Sequence, residues 1–257
     1  MRKVYVIGIG AGDPEQLTLA AVRALRELDV VFVIDKGAAK SERVELRRLI
    51  CDTHIPGPCR FVSAPDPERD RDAADYTGAV ADWYDARAEV FARMFAAELD
   101  EAAVGGILVW GDPALYDSTL RVLDRVHARG DVEFTVEVIP GITAVQALAA
   151  RHRVLLTRVG APVHITTGRR LAAGMPADLD DVLVMLDGKA AFKNLPDADL
   201  DIFWGAYLGM PDEILIAGDL QACKDEIVRV RAEARERKGW IMDTYLLRRR
   251  LDESDLA

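Results

Sequence analysis

The sequence predicts an α/β protein of two domains, built on mixed, largely parallel sheets with a cleft between the domains. Three observations carry that prediction. Short runs rich in Val and Ile alternate with longer stretches of helical spacing, the pattern of strands joined by crossover helices. Apolar strands stop repeatedly at Gly and Pro, at Gly12-Asp13-Pro14, Gly111-Asp112-Pro113 and Pro140-Gly141. The charge pattern then changes: positions 138 to 177 hold no Asp or Glu, although 43 of the 257 residues are acidic. That change sets an N-terminal domain over 1–141 and a C-terminal domain over 142–257.

Taken in order, residues 4 to 9 read as a buried strand, and Gly8, Gly10 and Gly12 form a tight turn after it. Leu17, Val22, Leu25 and Leu28 mark one face of a helix, with Asp13 as N-cap, Pro14 at its first position and Gln16 closing a capping box. A second strand begins at Val30. The stretch from 55 to 75 carries Pro56, Pro58, Pro65 and Pro67, which exclude a central strand or a helix, so it reads as a long loop, either a lid or a solvated insertion. Helical spacing resumes over 76 to 99, a strand covers 106 to 110, and a helix from about 118 to 128 ends at Gly130. Residues 136 to 139 form a further strand. Beyond the acid-free segment, strands are expected at 182–186, 202–207 and 214–217, followed by a charged helix over 220–238 stopped by Gly239.

Composition narrows the function. Hydrophobic residues make up 50% of the chain and charged residues 30%, so a substantial core forms and the chain is not disordered. A net charge of −10 lacks the basic footprint of a nucleic-acid partner. The chain has no apolar run of membrane-spanning length and no signal-peptide pattern after Met1, so a soluble, cytoplasmic protein with no membrane partner is expected. Cys51, Cys59 and Cys223 are an odd, loosely spaced set, expected to be reduced; Cys51, His54 and Cys59 lack the spacing and fourth ligand of a structural zinc site, so no metal is expected.

Ligands of open α/β sheets bind outside the carboxyl ends of the strands. Glycine there admits a ligand close to the backbone, and helix N-termini offer N–H groups to anions. Three Gly/Pro breaks at such ends therefore read as walls of one small-molecule site, against the plain alternative of ordinary turn and cap residues. A dinucleotide fold is a weaker reading. Gly8 and Gly10 fit its fingerprint, and Asp35 stands where a ribose carboxylate belongs, but the third glycine position is Asp13 and Pro14 follows.

The segments Val4-Tyr5-Val6-Ile7-Gly8-Ile9-Gly10-Ala11-Gly12-Asp13-Pro14, Trp110-Gly111-Asp112-Pro113 with Leu115-Tyr116, and Val138-Ile139-Pro140-Gly141-Ile142-Thr143 resemble the successive motifs of the tetrapyrrole methylases. The resemblance runs over nearly the whole chain. It implies two α/β domains with the active site between them, a homodimer, and S-adenosyl-L-methionine as methyl donor to an anionic tetrapyrrole. By position in those motifs, Trp110, Gly111, Asp112, Leu115, Thr143, Ala144 and Met185 match cofactor contacts, with Leu208 and Asp219 as weaker matches. Gly10, Gly12 and Asp13 match the tetrapyrrole side. Departures lie at Trp110, where many members have Gly, and at Leu186-Asp187-Gly188.

Methyl transfer from a sulfonium to an electron-rich ring carbon needs alignment more than acid–base help, so no triad is expected. If an acetyl group is also lost, water activation is needed, and Asp13, Asp112, Tyr116 and His164 are the candidates. His164 lies between Val163 and Ile165, where a satisfied core histidine is the plain alternative, as packing is for Tyr116. The acid-free segment carries Arg151, Arg153, Arg158, Arg169 and Arg170, which suit the carboxylates of a tetrapyrrole; the alternative is solvated or interdomain arginines. A non-catalytic sensor on the same cleft is the second functional class, and no DNA-reading module supports it.

Overall fold

The computed structural model describes residues 1–35, 41–70, 75–176, 178–196 and 199–250, with backbone alone at 41–43. The chain divides into two compact units, Met1–Thr143 and Ala144–Ala257.

The first unit is a five-stranded sheet in the order β3-β2-β4-β1-β5, parallel throughout. Its strands are β1 (Arg2–Gly8), β2 (Val30–Asp35), β3 (Arg60–Pro65), β4 (Val104–Val109) and β5 (Phe134–Ile139). The helices are α1 (Leu19–Leu25), α2 (Ser41–His54), α3 (Tyr76–Glu98) and α4 (Thr119–Arg129). Strand periodicity sorts them into layers. Val4 and Val6 of β1 join the core of α3 and α4, whereas Tyr5 and Ile7 join that of α1 and α2. Burying β1 on both faces demands the continuous apolar run that its sequence shows. Neighbouring β1 and β4 send their connections in opposite directions along the sheet, a reversal of the kind that opens a ligand crevice at the strand ends.

Three expectations differ from the structure. No single helix follows Asp13: a one-turn 3-10 helix, Pro14–Gln16, ends at extended Leu17, and α1 starts afresh because the Thr18 hydroxyl accepts from the Ala21 N–H at 3.0 Å. Gln16 closes no capping box with Asp13; its Oε1 accepts from the Ala11 N–H at 3.0 Å and so ties down the glycine turn. The stretch from 55 to 75 is not all loop, since β3 runs through it beside β2. Its prolines are compatible with a strand because β3 is at the sheet edge, and Pro65 lies at its end. Residues 71–74 of that stretch lie outside the described residues.

The second unit begins with α5 (Ala144–His152) and carries β6 (His164–Thr167), the single-turn α6 (Gly168–Leu171), β7 (Asp181–Met185), β8 (Leu200–Ala206), β9 (Ile214–Asp219), α7 (Leu220–Lys238) and β10 (Asp243–Arg249). Its sheet order is β6-β7-β10-β8-β9, with β6 and β7 parallel and the other pairs antiparallel. Strands β6, β7 and β8 therefore run the same way and share one carboxyl end. The core closes on Trp204, Tyr207, Tyr245 and Phe192, all fully buried. Asp219 caps α7 through the Ala222 N–H at 2.8 Å, and Gly239 ends it at φ 74°. Among the described residues, no helix is long and apolar enough to cross a membrane.

Candidate functional site

In the first unit the tips of β1, β4 and β5 meet with almost no space between their backbones. A Cβ on Gly8 would lie 2.6 Å from the Gly141 nitrogen and 2.8 Å from the Gly111 oxygen; one on Gly141 would lie 2.2 Å from that same oxygen. Only glycine at positions 8 and 141 lets these three segments touch. Gly10 and Gly111 then pair as an isolated antiparallel bridge, with the Gly111 N–H donating to the Gly10 oxygen at 2.8 Å. The first and second Gly-Asp-Pro loops thus form one continuous surface.

Asp112 ties the third segment to them. Its Oδ2 accepts from the Gly141 N–H at 2.9 Å and its Oδ1 from the Ala114 N–H at 2.7 Å. Both oxygens of this candidate base therefore already accept backbone N–H bonds. Asp13, in contrast, uses Oδ1 alone to cap its turn, accepting from Glu15 at 2.9 Å. Losing two acceptors from a partly buried junction costs about 1–3 kcal/mol. Asp112→Ala is expected to melt several degrees below the wild type in a thermal denaturation scan, with Asp112→Asn in between; an unchanged melting temperature for the alanine variant would mean that the clamp holds nothing.

Gly111 itself sits at φ 71°, a left-handed conformation that favours glycine, and a Cβ there would meet nothing nearer than the Thr143 Cα at 3.8 Å. The junction is closed between strands, whereas beside buried Gly111 there is room for at least a methyl group. Beside it lies a cavity of about 170 Å³, bordered by Trp110, Asp117, Ser118, Arg47 and Arg87. Arg87 is buried there, bound by both Asp66 oxygens at 2.7 and 2.6 Å, bonded to the Ser118 hydroxyl at 3.1 Å and stacked 3.9 Å over Trp83. Arg47 donates to the Leu108 oxygen at 3.0 Å. The sequence singles out neither arginine: each lies within a helix, Arg47 in α2 and Arg87 in α3, and only the fold brings them beside the β4 tip.

In the second unit the shared carboxyl end of β6, β7 and β8 carries Thr167–Gly168, Met185–Leu186 and Tyr207–Leu208. Its support is a buried polar network. Asp187 accepts from the Tyr245 hydroxyl and the Ala191 N–H, both at 2.6 Å, and from the Lys189 N–H at 3.0 Å. Arg231 donates to the Asp187 carbonyl at 2.5 Å and to Asp243 at 2.9 Å, and Asp243 also accepts from the Trp204 indole at 3.0 Å. Burial pushes the Asp243 carboxyl above the usual carboxylate range, against the pull of Arg231, and the Tyr245 hydroxyl is raised by burial and by Asp187.

Leu208 is buried and fills the space left by Gly205. Asp219 is placed away from Met185: it shares a cross-strand row with Asp201, Arg248 and Asp181, at the opposite end of the sheet, about 13 Å along the strands. Besides capping α7 it accepts from Arg250 at 2.8 Å, and these bonds hold its carboxyl below the usual range.

Of the acid-free segment's cations, Arg151 binds Glu213 at 2.5 Å, and Arg158 binds buried Asp181 and the Arg249 oxygen. His152 donates from Nε2 to the Trp204 oxygen at 3.0 Å, and burial lowers its pKa. Arg153, Arg169 and Arg170 are exposed, as are His164 and Tyr116. The exposure of His164 removes the core-histidine alternative. Cys51 is a core residue whose thiol burial pushes up to about 12.

The model of the tetrapyrrole (corrin/porphyrin) methylases matches residues 3–223. The chain belongs to the tetrapyrrole methylases. Among curated members it is 48% identical to precorrin-6A synthase [deacetylating] of Sinorhizobium sp., over 98% of this chain and 97% of that one. It is 33% identical to precorrin-2 C(20)-methyltransferase of the same source, over 74% of each. Among solved structures, a cobalamin synthesis related protein (CobF) from Corynebacterium diphtheriae matches with a TM-score of 0.83 and 39% identity, covering 97% of this chain and 99% of that one. Uroporphyrin-III C-methyltransferase of Thermus thermophilus, solved with S-adenosyl homocysteine, shares the fold with a TM-score of 0.58 at 20% identity, over 95% and 91% of the two chains. This methylase is therefore a methyltransferase of corrin biosynthesis that takes its methyl group from S-adenosylmethionine.

Proposed function

We propose that the chain is a deacetylating precorrin-6A synthase, which methylates precorrin-5 at ring carbon 1 and releases acetate to give precorrin-6A. The observation that carries this reading is the 48% identity, over nearly the full length of both chains, to a protein of that name. We further read it as a cytoplasmic homodimer.

When bound, S-adenosylmethionine supplies an electrophilic methyl group. The residues that suit it are Trp110, Gly111, Asp112 and Leu115 after β4, Thr143 and Ala144 after the Pro-Gly turn, and Met185 and Leu208 at the second sheet's carboxyl end. Asp219 is left out because it stands at the other end of that sheet. Gly111 supports the assignment: its backbone can be approached closely, and its loop is held by the glycine junction and by Asp112. Holding donor and acceptor in line within such a fixed frame is worth up to about 7–11 kcal/mol. Gly10, Gly12 and Asp13 take the macrocycle side, and exposed Arg153, Arg169 and Arg170 suit its carboxylates.

Acetate release needs a base to take a proton from water as the oxygen joins the acetyl carbon; the carbon–carbon bond then breaks and leaves its electron pair on the macrocycle. Asp13, Tyr116 and His164 are the groups we assign to this pool, with Asp112 as a clamp. Calorimetric titration tests the cofactor: S-adenosylhomocysteine is expected to bind and nicotinamide dinucleotide to give no heat, and the reverse would favour an oxidoreductase. Among Asp13→Asn, Tyr116→Phe and His164→Ala, at least one is expected to lose about 10²-fold or more in acetate release. If all three keep it, the base lies elsewhere.

A further inference from the structure

Among the described residues, five other than glycine adopt positive φ, and only two of them are large apolar side chains that stay exposed: Tyr116 at φ 51°, in the loop after β4, and Leu186 at φ 54°, directly after β7. Leu186 is 65% exposed. A left-handed backbone is unfavourable for leucine, and an exposed leucine side chain returns little burial to the fold. The core thus gains little from a leucine here, while a glycine would take the same backbone without strain.

The conformation is imposed from both sides. Met185 is held in β7 by its pairing with Thr167 of β6, and Thr244 donates to the Val184 oxygen at 2.8 Å. On the other side Asp187 is fixed by three hydrogen bonds to its carboxylate and one to its carbonyl. It also fills the space that a side chain at Gly168 would need, its Oδ1 standing 2.4 Å from that Cβ position. One residue joins the strand to this anchor, and it must turn out of the sheet. Strain held by a surrounding network, at a residue whose side chain the core does not use, is the signature of a contact made to something else.

We propose that Leu186 is a ligand-binding residue whose side chain packs on a flat, apolar ring face in the active site, either the nucleoside of the methyl donor or the macrocycle. The inference rests on the methyltransferase reading above, through the position of Leu186 next to Met185. Asp187 and Tyr245 act on it as positioning residues.

Leu186→Gly and Leu186→Ala in the full chain provide the test. The glycine variant relieves the backbone and is expected to melt at or above the wild-type temperature, so a loss of binding cannot be ascribed to misfolding. Both variants are expected to weaken the complex about tenfold. A tenfold higher Kd for S-adenosylhomocysteine, by calorimetry, assigns the nucleoside; a tenfold higher KM for precorrin-5 at unchanged Kd assigns the macrocycle. Wild-type values for both in both variants overturn the proposal and leave the methyltransferase reading standing. A wild-type protein that binds no S-adenosylhomocysteine and consumes no precorrin-5 overturns both.

Discussion

Gly141→Ala is expected to destabilise the protein by about 3 kcal/mol or more, which lowers the melting temperature by roughly 6–12 °C. A Cβ at this position would stand 2.2 Å from the Gly111 oxygen and 2.8 Å from the Gly8 carbonyl carbon and Cα, and all of these are backbone atoms of strand ends. No rotamer change relieves such an overlap; β5 must move away from β1, to which its residues are hydrogen-bonded in parallel register. Gly111→Ala is the matched comparison. Its Cβ has room, so only the left-handed backbone is penalised, at about 1–2 kcal/mol. Thermal scans of both variants test the junction, and equal losses would contradict it.

Arg231→Met is expected to cost about 3–5 kcal/mol near neutral pH, because it leaves Asp243 as a buried charge with the Trp204 indole as its remaining donor in the network described above. The pH dependence follows from the sign of the shift. Burial already raises the folded-state pKa of Asp243, and Arg231 opposes that; without the guanidinium the pKa rises further. The unfolded carboxyl titrates near 3.9, so the folded variant binds the extra proton above that pH. The unfolded carboxyl is common to both proteins, so the deficit relative to wild type is smallest below the wild type's own raised pKa and grows between that pKa and the variant's higher one, by up to about 1.4 kcal/mol per unit. Urea titrations of both proteins from pH 5 to pH 8 measure it. A pH-independent deficit would mean that Asp243 is not the group left behind.

Much of the first unit was legible because its signals are local. The apolar run of β1, the breaks after β1, β4 and β5, and the glycine cap of α4 each follow from a few neighbouring residues, as does the glycine cap of α7 in the second unit. What escaped depends on partners distant in sequence. The strand character of β3 shows only once β2 lies beside it, and α1 begins late because Thr18 offers a second cap. The four residues of β6 are too few for a periodic signal, and β10 ends in Arg248 and Arg249, whose charges are matched by Asp181 and by the Leu179 oxygen.

The site divides the same way. The motifs point to Gly111, Asp112 and Gly141 as a group, but the reason they need one another, a contact too close for any Cβ, requires coordinates. Asp187 reads in sequence as a departure from the family pattern. In three dimensions it is the anchor on which Ala191, Tyr245 and Arg231 converge, and it sets the conformation of Leu186.

The most direct measurement is incubation of the purified protein with methyl-labelled S-adenosylmethionine and precorrin-5, followed by mass analysis of the pigment and assay of acetate. The account predicts a pigment that carries one labelled methyl group, lacks the acetyl group, and appears with an equal amount of acetate. A methylated pigment that keeps its acetyl group, or no uptake of label at all, would contradict it.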